Sequence, residues 1–88
     1  MEKVTLDRIR QLIVENCMLK VASESIGEET LLFGPEGLGL DSIDALQLTL
    51  GIESTFNTPI KDPKLAIQIL RTPGTIKHWV IRQLEFNA

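Results

Sequence analysis

Apolar residues recur at spacings of three and four from the start of the chain: Leu6, Ile9, Leu12, Ile13 and Cys17. That spacing marks one face of an amphipathic helix. Thr5 stands where an N-cap is needed, and Asp7 falls in the first turn, near the positive end of the helix dipole. The pattern predicts a helix to about Lys20. It then dissolves: from Val21 to Leu40 serines, four glycines and Pro35 surround an apolar island, Leu31-Leu32-Phe33. A connection of that length is expected to be functional or to contain a short turn, with the island pinning it to the core.

Periodicity returns at Asp41 or Ser42. Asp41 can act as N-cap, Asp44 follows in a capping-box position, and Phe56-Asn57 ends the helix before Pro59. A short helix is predicted from Pro63 to about Leu70. Thr72 then caps a last helix, with Pro73 at its tolerated first position and Ile76, Trp79, Val80 and Leu84 on its apolar face. The expected fold is all-α: a small up-and-down helical bundle of three main helices plus one short one. A long loop separates the first two helices, no strand is expected, and residues 1–88 form a single domain.

The second helix carries more apolar surface than a bundle helix needs. At 100° per residue, Leu48, Ile52, Phe56 and Ala45 fall on one side, and Ile43, Leu46 and Leu50 on another. Asp44, Gln47, Gly51 and Thr55 occupy the narrow arc between Leu50 and Leu48. One stripe suffices for a surface helix, so the second must meet another helix, a ligand or a partner. Periodicity alone leaves open which stripe is which.

Composition narrows the function. With 88 residues, 43% hydrophobic, the chain can bury one modest core but not a core and a deep catalytic cleft. Acids and bases are unevenly spread. Residues 1–53 carry ten acids and four bases, whereas residues 54–88 carry two acids and five bases. Between Val21 and Asp44 there are six acids and no base, which repels nucleic acid and membrane surfaces and suits a basic partner. The single cysteine, Cys17, excludes an internal disulfide and, lying on an apolar face, reads as a buried structural thiol. No apolar run is long enough to cross a membrane, and Met1-Glu2-Lys3-Val4 leads into amphipathic sequence without a signal core. A cytoplasmic, monomeric protein is expected.

Candidate chemistry is sparse. His78 is the lone histidine and sits beside Trp79 on the last helix, a packing context and not that of a general base. No Cys/His cluster offers a metal site. Ser42 stands in the first turn of the second helix just after Gly37-Leu38-Gly39-Leu40-Asp41, where an isolated serine is most often merely a residue suited to a helix start. Side chains there tend to be exposed, and a phosphodiester on this hydroxyl would lie near unpaired backbone N–H groups and the positive end of the dipole.

The stretch Gly39-Leu40-Asp41-Ser42-Ile43-Asp44-Ala45-Leu46-Gln47-Leu48 closely resembles the modification motif of acyl carrier proteins, which runs Gly-x-Asp-Ser-Leu/Ile-Asp into helical apolar positions. The layout is similar as well: a first amphipathic helix, a long loop, a helix ending in Phe56, Pro59-Ile60 and a capped last helix. The resemblance implies a non-catalytic carrier with 4'-phosphopantetheine, taken from coenzyme A by a phosphopantetheinyl transferase, on Ser42. Asp41 would present the site. The second helix would be the recognition helix, with Ile43, Asp44, Leu46, Gln47, Leu50 and Glu53 facing acyl-loading, condensing and acyl-transfer enzymes through their basic docking surfaces. Leu46, Ile60, Ala66 and Ile69 would line a gap between helices that shelters the acyl chain. Leu48, Ile52 and Phe56 would belong to the core.

The sequence departs from the pattern of a general fatty-acid carrier, whose recognition helix is strongly acidic. Gln47 stands where an acid is typical, Ser54 is neutral, and Gly51 costs the helix about 1 kcal/mol. The expectation is therefore a specialised carrier for lipid or polyketide-type biosynthesis. Two other readings stay open: an aminoacyl or peptidyl carrier, which uses the same arm, and an unmodified helical interaction module.

Overall fold

The computed structural model describes residues 4–86, with the side chains of all of these except Pro63 and Phe86. Met1 to Lys3, part of the N-terminal stretch read above, lie outside the described residues. Four helices follow in order: α1 (Leu6–Cys17), α2 (Ser42–Phe56), α3 (Pro63–Ile69) and α4 (Pro73–Phe86). Among the described residues the fold is the expected all-α bundle.

Local chemistry sets the helix ends. Thr5 caps α1 by accepting from Arg8 N at 3.1 Å, and Arg10 Nη1 pairs with Asp7 at 3.0 Å on the exposed first turns. α1 stops at Cys17, three residues before the expected end. Met18 takes the left-handed conformation (φ 53°) and donates its N–H to Val14 O. Asn57 closes α2 the same way, at φ 56°, donating to Glu53 O at 2.8 Å. Asp62 caps α3 through Lys64 N, and Thr72 Oγ1 accepts from Thr75 N at the start of α4. Each of these caps, the Arg10–Asp7 side-chain pair aside, satisfies a backbone group that a helix end leaves unpaired.

The core lies where the apolar faces meet. α1 contributes Ile9, Leu12, Ile13 and Cys17, α2 contributes Leu48, Ile52 and Phe56, and α4 contributes Ile76 and Val80. α1 packs against both α2 and α4, and α3 bridges α2 and α4. Trp79 and Leu84 pack against this cluster while half-buried, as expected for flanking positions on the α4 stripe. Gly51 is better explained by this packing than by its helix propensity. A Cβ there would overlap the side-chain amide of Asn16 on α1, so the glycine lets the two helices approach closely.

The long loop is structured. It holds a 3-10 turn at Ser23–Ser25 and an isolated parallel bridge between Phe33 and Leu40. Ile26, Leu32 and Leu40 are buried, which anchors it to the core. Leu40 N donates to Leu32 O at 3.1 Å, and Leu32 N donates to Arg71 O at 3.1 Å. These two hydrogen bonds tie the end of α3, the loop and the lead-in to α2 into one unit. No helix among the described residues is long and apolar enough to cross a membrane.

Candidate functional site

The start of α2 is closed by a complete capping box. Asp41 Oδ1 accepts from Ile43 N at 3.0 Å and Asp44 N at 3.1 Å, and Asp44 Oδ2 accepts in return from Asp41 N at 3.1 Å. Ser42 is the first helical residue and is exposed. Among the described residues its hydroxyl makes no hydrogen bond. One expectation is corrected here. The N–H groups of Ile43 and Asp44 are taken by Asp41, so a phosphodiester on Ser42 would not find them free.

Beside Ser42 opens a cleft of about 820 Å³. One wall is the face of α2 from Ser42 and Ala45 through Leu46 to Thr49. The other is α3 and its flanks, and the floor is built by Leu31, Phe33, Leu40 and Leu70. The lining is mainly apolar, and Thr49 adds no free polar group because its hydroxyl donates to Ala45 O at 2.8 Å. Three of the four residues expected here, Leu46, Ile60 and Ala66, do line the cleft. Ile69 does not. It is buried in the core, and its neighbour Leu70, buried as well, is the one that lines the cleft. Leu31 and Phe33 went unread as lining residues, yet they carry a signal. They alternate with buried Leu32 in an extended segment, so they share the face opposite that of Leu32.

The two stripes of α2 separate cleanly. Leu48 and Ile52 are fully buried, whereas Ile43, Leu46 and Leu50 are 67%, 58% and 51% exposed. Gln47 and Glu53 are exposed beside them, and Asp44 is half-buried. Among the described residues no cluster of His, Cys, Asp and Glu could hold a metal ion.

Residues 7–80 match a family described as the phosphopantetheine attachment site. The acyl carrier protein of Wolinella succinogenes is 33% identical over 81 residues, covering 92% of this chain and 93% of its own. That of Phytoplasma australiense is 40% identical over 62 residues, covering 70% and 76%. The chain belongs to the acyl carrier protein family. No solved structure matches it. An acyl carrier protein is not a catalyst. It bears a covalently attached 4'-phosphopantetheine and works with a phosphopantetheinyl transferase and biosynthetic enzymes. The described residues fit that group, since this carrier offers an exposed, unbonded hydroxyl at the mouth of an apolar cleft.

Cys17 lies beneath the first turn of α2, its thiol donating to Asp44 O at 3.8 Å. Burial pushes the thiol up from 9.0 to about 11, and the negative charges of Asp44 and Asp41 push in the same direction. The fold thus disfavours the thiolate, and its stability is retained below the unfolded-state value and lost as pH rises towards the folded one. The urea midpoint is expected to fall between about pH 9 and pH 11, and to fall less in Cys17→Ala. Equal losses in the two proteins would remove Cys17 as the cause.

Proposed function

We propose that Ser42 is the attachment point of the phosphopantetheine arm, and that the carrier holds acyl intermediates on it as thioesters. The observation carrying this reading is the exposed, unbonded Ser42 hydroxyl on the first residue of a rigidly capped helix, at the mouth of the cleft. Asp41 presents the site by fixing the backbone that follows it. The arm supplies a thiol for the thioester. The chain itself supplies a fixed anchor, a docking face and a shelter. Tethering makes each encounter between cargo and a docked enzyme effectively intramolecular. An acyl chain laid against Leu46, Ile60 and Ala66 is removed from water at about 0.8 kcal/mol per CH₂.

The docking face is Ile43, Leu46 and Leu50, rimmed by Asp44, Gln47 and Glu53, and it suits a partner with an apolar groove and a basic rim. Only Asp41, Asp44 and Glu53 are acidic along α2. That sparse charge supports a carrier dedicated to one lipid or polyketide-type pathway over a general fatty-acid carrier. Turnover by general fatty-acid synthesis enzymes as fast as that of a housekeeping carrier would contradict this part of the reading.

The test of the attachment point is intact mass after incubation with coenzyme A and a broad-specificity phosphopantetheinyl transferase. One phosphopantetheinyl group is expected on the wild-type chain and none on Ser42→Ala. Modification of the Ser42→Ala chain would move the site elsewhere.

A further inference from the structure

The two walls of the cleft differ in charge. The α2 wall is neutral or acidic, from Asp41 and Ser42 to Thr49, whereas the α3 wall carries Lys61 just before the helix and Arg71 just after it. Both cations are exposed, and among the described residues neither makes an ion pair or a side-chain hydrogen bond. Asp41 is the one carboxylate among the lining residues, and its Oδ1 is already engaged by two backbone N–H groups.

Backbone hydrogen bonds fix where Arg71 stands. Its carbonyl accepts from Leu32 N, the Leu32 carbonyl accepts from Leu40 N, and Leu40 leads directly into Asp41 and Ser42. Arg71 is thereby held at the Ser42 end of the cleft. Lys61 adjoins Ile60, at the other end of α3.

We propose that the α3 wall is an anion subsite, in which Arg71 and Lys61 take a negatively charged group brought into the cleft on the arm. The proposal rests on the reading of Ser42 as the attachment point. A phosphodiester there stands beside the carboxylates of Asp41 and Asp44, and the amides of Ile43 and Asp44 are already engaged, so the cations placed to balance its charge are those across the cleft. A carboxylate at the far end of an acyl chain meets the same requirement. Burying it against apolar walls is costly unless a cation accompanies it. Low-dielectric walls also strengthen such a pair relative to one in open water.

The two sources of the anion are separated by loading the full chain in three forms: with the bare arm, with an ω-carboxyacyl group, and with the methyl ester of that group. Wild type is compared with Arg71→Gln, Lys61→Gln and, as a control for lost charge, Lys64→Gln, an exposed cation outside the cleft lining. Intact mass first establishes loading, so a failure of the Ser42 reading is seen there and not confused with failure of the subsite. Melting temperature is then measured in each form.

If the phosphodiester is the anion, attaching the arm raises the wild-type melting temperature by about 2–4 °C, and Arg71→Gln removes the gain while Lys64→Gln keeps it. If the carboxylate is the anion, the ω-carboxyacyl form melts above its methyl ester by a similar margin, and either cleft variant abolishes the difference. Both gains shrink in high salt. With loading established, gains that are absent, or equal in wild type and in both cleft variants, overturn the proposal. Gains lost as readily in Lys64→Gln overturn it too.

Discussion

Leu48→Ala is expected to lower the unfolding free energy by about 2–5 kcal/mol, whereas Leu46→Ala, two residues away on the same helix, changes it by no more than about 0.5 kcal/mol. The contrast follows from the two stripes of α2. Leu48 is fully buried in the core cluster on the face α2 turns to α1, and its truncation removes transfer energy and leaves a cavity that neighbours fill only in part. Leu46 is 58% exposed and sits on the rim of the cleft, so truncation there removes little buried surface. A domain of this size has about 5–15 kcal/mol in total, so the first change consumes a large share of it. Urea denaturation of the two variants is the check. A Leu46 variant that loses more than the Leu48 variant would mean that the stripes had exchanged roles.

Gly37→Ala should destabilise by about 1–3 kcal/mol although the residue lies in a loop. A Cβ at this position would overlap the backbone carbonyl of Leu31, the acceptor for Leu38 N at 3.0 Å. A carbonyl cannot swing aside as a side chain can, so relief requires that hydrogen bond to open and Leu31 to shift. Leu31 forms part of the cleft floor, so the same change should also weaken protection of a bound acyl chain. Gly51→Ala makes a useful comparison. There the obstructing group is the Asn16 amide, which can rotate away at the loss of its 2.8 Å bond to Leu12 O. The gain in helix propensity, about 1 kcal/mol, offsets that loss. Chemical denaturation of both variants, with thioester hydrolysis of the acylated Gly37→Ala chain, tests the distinction. An unchanged midpoint for Gly37→Ala would show that the loop yields without cost.

The parts of this fold that were legible in the sequence are those fixed by local chemistry. Asp41 and Asp44 announced the start of α2, Asn57 before Pro59 announced its end, and Thr72-Pro73 announced α4. Each is a residue whose side chain or ring acts on backbone within a few positions. What escaped depended on tertiary contact. Met18 adopts a left-handed conformation with no glycine to signal it, so α1 ended earlier than its apolar pattern suggested. Gly51 read as a weakness until Asn16 was seen against it. That Leu70 and not Ile69 lines the cleft, though both are buried, escaped because a seven-residue helix is too short for its periodicity to fix an orientation. The candidate attachment serine was legible through its motif. The engagement of the neighbouring amides was not, because a capping box is visible as a pattern while its competition with a phosphate is a matter of geometry.

The capping box has a consequence for how enzymes sort modified from unmodified chains. Asp41 and Asp44 satisfy each other's backbone, and that of Ile43, whether or not anything is joined to Ser42, so the fold of the first turn of α2 does not wait on an added group. The helix is therefore expected to present the same face before and after modification. An enzyme that must wait for the arm cannot learn of its arrival from the shape of the surface it grips, and has to feel for the arm itself.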